Sequence, residues 1–116
     1  MNRKITISML LDFYGQLLSA KQLEIMNYYC NEDLSLSEIA EIIGITRQGV
    51  YDIVKRSELF LEELENKLGL YHKWQNIQSE LDIVQTTLRH ICPENAAMHN
   101  NCTKVIEIIE NIKNQF

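Results

Sequence analysis

The sequence predicts an all-α protein, a small helical bundle with a C-terminal helical extension. Apolar residues recur at intervals of three and four along nearly the whole chain, which is the spacing of amphipathic helices. Ser and Thr residues stand where helices would begin, and two of them are followed three residues later by Gln or Glu. The 116 residues include only four Gly and one Pro, too few for the tight turns of an all-β domain. A chain of this length can bury one modest core.

Two helices are predicted before residue 31. The first spans about residues 5–17, and its apolar face comprises Ile5, Met9, Leu10, Phe13, Tyr14 and Leu17. The second follows Ser19, which forms a capping box with Gln22, and runs to about Cys30. We assign its inner side to Leu23, Met26, Asn27 and either Tyr29 or Cys30.

The best marked boundary lies at residues 35–46. Ser35 and Glu38 form a second capping box, and the short helix that follows ends where Gly44 can adopt a left-handed conformation. Thr46 is then the N-cap of the next helix. Two helices joined by a turn of about three residues containing a glycine predict a helix-turn-helix at residues 35–57.

A long helical run follows, and its apolar stripe is interrupted once. The positions 71, 74, 77 and 81 include one step of three too many, which predicts a break or kink near Gly69–Lys73. The stripe then continues through positions 74, 77, 81, 84, 88 and 91 until Pro93 ends the run. Residues 94–102 are expected to form a polar loop, and Thr103 to begin a last helix. The apolar side of that helix comprises Val105, Ile108, Ile109, Ile112 and Phe116.

This pattern predicts two domains: a helix-turn-helix domain over residues 1–66 and a C-terminal helical extension over 67–116. The stripes at 60–71, 74–91 and 105–116 are more than one small domain needs for its core. Because large exposed apolar patches mark interfaces, we expect a homodimer formed through the extension.

The second helix of the motif carries the candidate site for DNA. Residues near the N-terminus of such a helix face base edges in the major groove, here Thr46, Arg47, Gln48 and Tyr51. Lys55 and Arg56 lie two turns further along and suit phosphates. Residues 46–57 carry three basic side chains and one acidic one, a net of +2 in a chain of net charge −5. Such a chain cannot hold nucleic acid by bulk charge alone.

The same residues carry a family resemblance. Residues 17–64 are similar to region 4 of bacterial sigma factors, and about residues 10–68 resemble the YlxM family of small helix-turn-helix proteins. The matching segments are Leu11-Asp12-Phe13-Tyr14, Leu17-Leu18, Ala20-Lys21-Gln22, Ser35-Leu36, Glu38-Ile39-Ala40, Arg47-Gln48, Val50-Tyr51-Asp52 and Lys55-Arg56. The resemblance implies a DNA-binding regulator, with a role in the signal recognition particle pathway.

One departure from the sigma pattern supports an alternative function. Where the recognition helix of a sigma factor continues into a basic stretch, this chain has Glu58, Glu62, Glu63 and Glu65. If these carboxylates lay toward phosphates, they would weaken DNA binding. The alternative is an accessory protein that binds the protein or RNA components of the signal recognition particle rather than DNA.

Other functions find little support in the sequence. There is no nucleophile motif, phosphate loop or coherent catalytic set, so we predict neither an enzyme nor a cofactor. The residues His90, Cys92, His99 and Cys102 are potential zinc ligands, but their spacing matches no regular finger, and no metal site is predicted. The sequence contains neither a signal peptide pattern nor an apolar run long enough for membrane insertion. With an odd set of three cysteines, this predicts a cytoplasmic protein with reduced thiols.

Overall fold

A computed structural model describes residues 3–91 and 96–115, and confirms the all-α prediction. These residues form six α-helices and one 3₁₀ turn, with no strand among them. The elements are α1 (Arg3–Tyr14), a 3₁₀ turn (Gly15–Leu17), α2 (Ala20–Cys30), α3 (Leu36–Ile43), α4 (Arg47–Leu68), α5 (Leu70–Ile91) and α6 (Ala96–Lys113). None of these helices combines the length and the apolar character needed to cross a membrane.

The chain divides into two compact units, Met1–Tyr71 and His72–Phe116. The first contains α1 to α4 together with the first residues of α5. The second contains the rest of α5 and α6. The division into a helix-turn-helix domain over residues 1–66 and a C-terminal helical extension over 67–116 stays a prediction.

The predicted helix boundaries around the motif are confirmed by hydrogen bonds. The Ser35 hydroxyl accepts from the backbone N–H of Glu38 at 3.1 Å, and the Glu38 carboxylate accepts from the N–H of Ser35 at 3.1 Å. Ser19 and Gln22 form the same reciprocal pair at the start of α2. Each box satisfies two of the donors that a helix N-terminus leaves without an intrahelical partner.

The core of the first unit lies where α1, α2 and α3 pack on α4. On α1 the buried residues are Ile7, Leu10, Leu11 and Tyr14, at the spacing i, i+3, i+4, i+7. The predicted face was partly wrong, because Ile5 and Leu17 are 52% and 61% exposed. Ile5 lies off this stripe, and the 3₁₀ turn after Tyr14 changes the rotation of the chain. Leu18 is therefore buried in place of Leu17.

The inner side of α2 also differs from the prediction. Ile25 and Met26 are fully buried, whereas Asn27 is exposed. The Asn27 side chain instead accepts a hydrogen bond from Asn31 at 2.9 Å, on the outer surface. Cys30 is half-buried.

The predicted break near residue 69 is confirmed. Gly69 has φ 63° and ψ 27°, the left-handed conformation that ends a helix without a steric penalty from a Cβ atom. The Tyr14 hydroxyl donates to Glu65 Oε1 at 2.7 Å and accepts from the backbone N–H of Leu70 at 3.1 Å. The N–H of Tyr71 donates to the same Glu65 oxygen at 3.0 Å. Side chains of α1 and α4 thus satisfy the first donors of α5.

The second unit is an antiparallel hairpin of α5 and α6. Gln78 Nε2 donates to the carbonyl of Lys113 at 3.3 Å, and Gln85 Nε2 donates to the carbonyl of Ile106 at 3.2 Å. The residue number rises on one helix as it falls on the other, so the two helices run in opposite directions.

The predicted loop at 94–102 was wrong over residues 96–102, which belong to α6. Thr103 is not an N-cap, since its hydroxyl donates to the carbonyl of His99, four residues earlier in the same helix, at 2.9 Å. A Thr in the middle of a helix commonly makes this bond. Pro93 and residues 94–95 lie outside the described residues.

Candidate nucleic-acid interface

The turn between α3 and α4 places the start of α4 at the surface. Gly44 has φ 83° and ψ 33°, and its N–H donates to the carbonyl of Ala40 at 2.9 Å. Thr46 is the N-cap of α4, as predicted, and its hydroxyl oxygen accepts from the N–H of Gly49 at 3.0 Å. A Cβ atom at Gly49 would lie 3.1 Å from that oxygen, so glycine gives the cap its room. The turn and the first residues of α4 are therefore set by local interactions.

Buried aliphatic side chains hold α4 on the rest of the unit. Val50 and Val54 are buried on its inner side, and Ile39 and Ala40 are buried on α3. The neighbouring Ile53 is only half-buried. The inner face of α4 follows the steps 50, 54, 57 and 61, which leaves the opposite face in solvent.

All six residues predicted to contact DNA are exposed: Thr46, Arg47, Gln48, Tyr51, Lys55 and Arg56. Together with the exposed Asp52, those within α4 form two neighbouring rows at four-residue spacing. One row is Arg47, Tyr51 and Lys55, and the other is Gln48, Asp52 and Arg56.

Contacts within the rows order the side chains of this face. Lys55 Nζ lies 5.5 Å from the centre of the Tyr51 ring. Gln48 Nε2 donates to Asp52 Oδ1 at 3.0 Å, and Arg56 Nε donates to the carbonyl of Asp52 at 3.5 Å. Gln48 keeps its second amide hydrogen and its carbonyl oxygen, which are the donor and the acceptor required to pair with adenine.

The four carboxylates that follow the motif do not all lie toward the solvent. Glu58 is buried, with 4% of its surface exposed, and its carboxylate lies 3.1 Å from Arg3 and 3.9 Å from Lys55. Glu62 lies 3.0 Å from the same guanidinium of Arg3. Glu65 accepts the bonds from Tyr14 and Tyr71 described above.

The physical reason lies in the register of α4. Positions 54, 58, 61 and 65 are separated by steps of four, three and four, so Glu58 and Glu65 continue the buried side of the helix. Arg3 and Tyr14 of α1 provide the partners that make burial of these carboxylates tolerable. Glu63 does remain exposed. The spacing was visible in the sequence, but the partners lie more than 50 residues away, as the separations of 51 and 55 residues show.

The side chains considered for metal binding do not form a site among the described residues. His90 and His99 are exposed, Cys102 is half-buried, and Cys92 lies outside the part of the chain that is described. No group of three or more His, Cys, Asp or Glu side chains in the described ranges is arranged to hold a metal ion.

The motif and its exposed polar face define a helix-turn-helix protein. A model of the family described as "Putative helix-turn-helix protein, YlxM / p13 like" matches residues 1–102, and the chain belongs to that family. The resemblance found in the sequence is thereby confirmed, and it extends beyond the residues that first indicated it.

Curated relatives carry the name UPF0122 protein. The chain is 53% identical to the one from Acetivibrio thermocellus over 74 residues, which cover 64% of this chain and 63% of that protein. It is 47% identical to one from Clostridium kluyveri over 78 residues, covering 67% of this chain and 70% of the relative. The match to a Bacillus thuringiensis protein is 41% identical over 103 residues, covering 89% and 90%.

Proposed function

We propose that this protein is a DNA-binding regulator that inserts the N-terminal half of α4 into the major groove. The observation that carries the proposal is the exposed double row of polar side chains on α4, on a helix whose opposite face is buried. A helix held in this way can enter the groove as a rigid element. The family description supports the same class of function.

Within this proposal each exposed residue has a separate role. Arg47 suits a bidentate contact with guanine, and Gln48 suits adenine. Thr46 and Tyr51 lie beside them, with a hydroxyl each for base or backbone contacts. Lys55 and Arg56 neutralise phosphates and set the position of the helix on the duplex.

The acidic residues after the motif oppose this function less than the sequence implied. Glu58 and Glu62 pair with Arg3, and Glu65 bonds to Tyr14, so three of the four carboxylates have partners within the first unit. Arg3, and Lys55 at 3.9 Å from Glu58, offset part of the charge of Glu58 and Glu62, while the bonds to Glu65 come from neutral donors. Arg47 and Arg56 have no acidic side chain among the ion pairs of the described residues.

The test is salt-dependent binding of the full chain to a randomised duplex library, followed by sequencing of the bound fraction. We expect micromolar binding at low salt that weakens as salt is raised, and enrichment of a discrete motif. A protein that shows no salt-dependent DNA binding in the micromolar range would contradict the proposal.

A second candidate function rests on the net charge of −5, which is unusual for a protein whose main ligand is DNA. In that case the exposed face of α4 would bind a protein or RNA component of the signal recognition particle. Both candidates place the protein in the cytoplasm. Co-purification at physiological salt separates them: recovery of the ribonucleoprotein supports the second, and recovery of a specific promoter fragment supports the first.

A further inference from the structure

The α5–α6 hairpin has a seam in which each helix contributes side chains at alternating steps of four and three. On α5 the seam residues are Trp74, Gln78, Leu81, Gln85 and Leu88, and on α6 they are Cys102, Ile106, Ile109 and Lys113. All nine are buried or half-buried. The seam is therefore part polar, and the hydrogen bonds of Gln78 and Gln85 run across it.

A second set of apolar residues lies beside the seam and is exposed. We call it the hairpin apolar face, and it comprises Ile77, Val84, Ile91, Met98, Val105 and Ile112. On each helix these residues recur every seven positions. Each one directly precedes a residue of the seam, or a position where the seam would continue with the same seven-residue repeat. Their exposed fractions range from 38% to 66%. Of the apolar positions predicted for α5, 74, 81 and 88 lie in the seam, whereas 77, 84 and 91 lie outside it and Gln85 takes an inner place.

The residues of the hairpin apolar face on α5 and those on α6 lie on the same side of the hairpin. Two antiparallel helices are related by a local two-fold axis perpendicular to the plane that contains them. That rotation exchanges the helices and keeps each side of the pair on the same side. Equivalent positions of the repeat on α5 and α6 therefore point to one face, and the six apolar side chains form a single strip.

The opposite side of the hairpin is polar. The equivalent positions there hold Asp82 and Arg89 on α5, and Thr103 and Glu110 on α6. Lys113 forms an ion pair with Asp82, and Gln85 Nε2 donates to Glu110 at 3.0 Å. The hairpin thus has one side closed by polar contacts and one side that is apolar.

We propose that two copies of this chain associate through the hairpin apolar face, so that two hairpins form a four-helix bundle. Helices that are apolar at three of every seven positions are typical of bundles, whereas a two-helix seam needs only two. On each hairpin the strip is wholly apolar, and the seam combines apolar side chains with the amides of Gln78 and Gln85. Lys113 is the only charged side chain in the two sets.

The occupant follows from the chemistry and the size of the face. All six residues of the strip are uncharged, so it is complementary to itself, as two-fold association requires. Together they leave on the order of 500 Å² of surface exposed, and a standard interface buries about 800 Å² on each partner. Half-buried seam residues at the edge of the strip, such as Leu81 and Leu88, extend this area toward the about 600 Å² per partner at the lower end of stable interfaces. This inference does not depend on what α4 binds.

The first test compares the full chain with a double variant by sedimentation equilibrium over a range of concentrations. We expect a dimer for the unaltered chain, and a dissociation constant at least about tenfold higher for Val84→Asp with Val105→Asp. The matched control is Ile83→Asp, because Ile83 is 65% exposed and adjacent in sequence but lies off the strip. Circular dichroism reports whether each variant keeps its helices.

A second measurement identifies the surface that meets its copy. Val84→Lys with Val105→Lys, and Val84→Glu with Val105→Glu, should each be monomeric, and an equimolar mixture should recover the dimer. The proposal is overturned if the unaltered chain is monomeric at every concentration measured. It is also overturned if the Asp pair leaves the dimer intact, or if Ile83→Asp disrupts it equally.

Discussion

At the scale of single residues, charged side chains have different roles according to the side of α4 on which they lie. Arg47 is exposed at the start of the helix, while the carboxylate of Glu58, three turns later, is buried against Arg3. Residue type was readable from the sequence for both. Their roles differ because Arg47 lies on the exposed side of α4, whereas Glu58 lies on the buried side, where it pairs with Arg3 and holds α1 on α4.

For Arg47, we expect substitution by Ala to relax sequence preference and to weaken specific binding by about 1–3 kcal/mol, because a bidentate base contact is lost. Lys55→Ala should instead weaken binding to all sequences and lower the salt dependence by about one phosphate contact. Fluorescence anisotropy on the selected and scrambled duplexes measures both effects. Lys21→Ala, an exposed charge on α2, controls for net charge. Equal effects of all three substitutions would contradict these roles.

Tyr14 is expected to contribute to stability through its hydroxyl. Tyr14→Phe removes the donor to Glu65 and the acceptor for Leu70, leaving a half-buried carboxylate and the N–H of Leu70 without those bonds. The expected loss is about 1–3 kcal/mol in the free energy of unfolding, measured by urea denaturation. Tyr51→Phe, at an exposed ring, should change stability little; a similar loss there would refute the assignment.

Cys30 provides a prediction for pH. Burial, with a smaller contribution from Glu58, raises the pKa of its thiol from 9.0 to about 11. The folded state then favours the neutral thiol, so its contribution to stability is present below about pH 9 and is lost as the pH rises through about 11. Alkylation of Cys30 with iodoacetamide, followed by peptide mass spectrometry, should be slow at pH 8 and accelerate above pH 10. Rapid modification at pH 8 in the folded protein would contradict this.

At the scale of helices and turns, the helix-turn-helix is specified mainly by its ends. The capping boxes, Gly44 and the Thr46 cap each involve residues within four positions of one another. Such short-range signals act without help from the rest of the chain, which is why the boundaries of α3 and the start of α4 agreed with the sequence. The start of α6 lacked a comparable signal, and there the prediction was wrong.

Gly44 gives the prediction at this scale. Gly44→Ala places a Cβ atom on a residue with φ 83°, and should destabilise the protein by about 1–2 kcal/mol. Gly44→Asn should cost less, because Asn tolerates the left-handed region better. Thermal unfolding compares the two. Ser37→Ala, at an exposed position of α3, is the control, and an equal effect of Ala and Asn at position 44 would argue against backbone strain.

At the scale of the whole molecule, the two units have separate tasks in our proposals. The first presents α4, and the hairpin of the second brings together two copies. A dimer would carry two recognition helices and could bind two half-sites at once, if their separation matches about one turn of DNA.

This arrangement predicts a difference between long and short DNA targets. The Val84→Asp, Val105→Asp variant should bind a duplex with one half-site as the unaltered chain does, but lose about 100-fold or more on a duplex with two. Isothermal titration on both duplexes measures the affinity and the stoichiometry. If the variant loses affinity equally on both, the two half-site model is wrong even where the dimer itself is confirmed.

Helix class, most helix ends in the first 70 residues and the location of the motif could be predicted from the sequence, because periodicity and capping operate over a few residues. The sequence could not predict which of two adjacent apolar stripes on a helix packs inward. Ile77 and Val84 satisfy the helical pattern as well as the seam residues do, yet they are exposed and Gln85 is buried. Likewise, the placement of Glu58 and Glu65 depends on Arg3 and Tyr14, more than 50 residues earlier in the chain. Such long-range pairings arise only when the helices pack, since burial of a carboxylate is favourable only once its partner is in place.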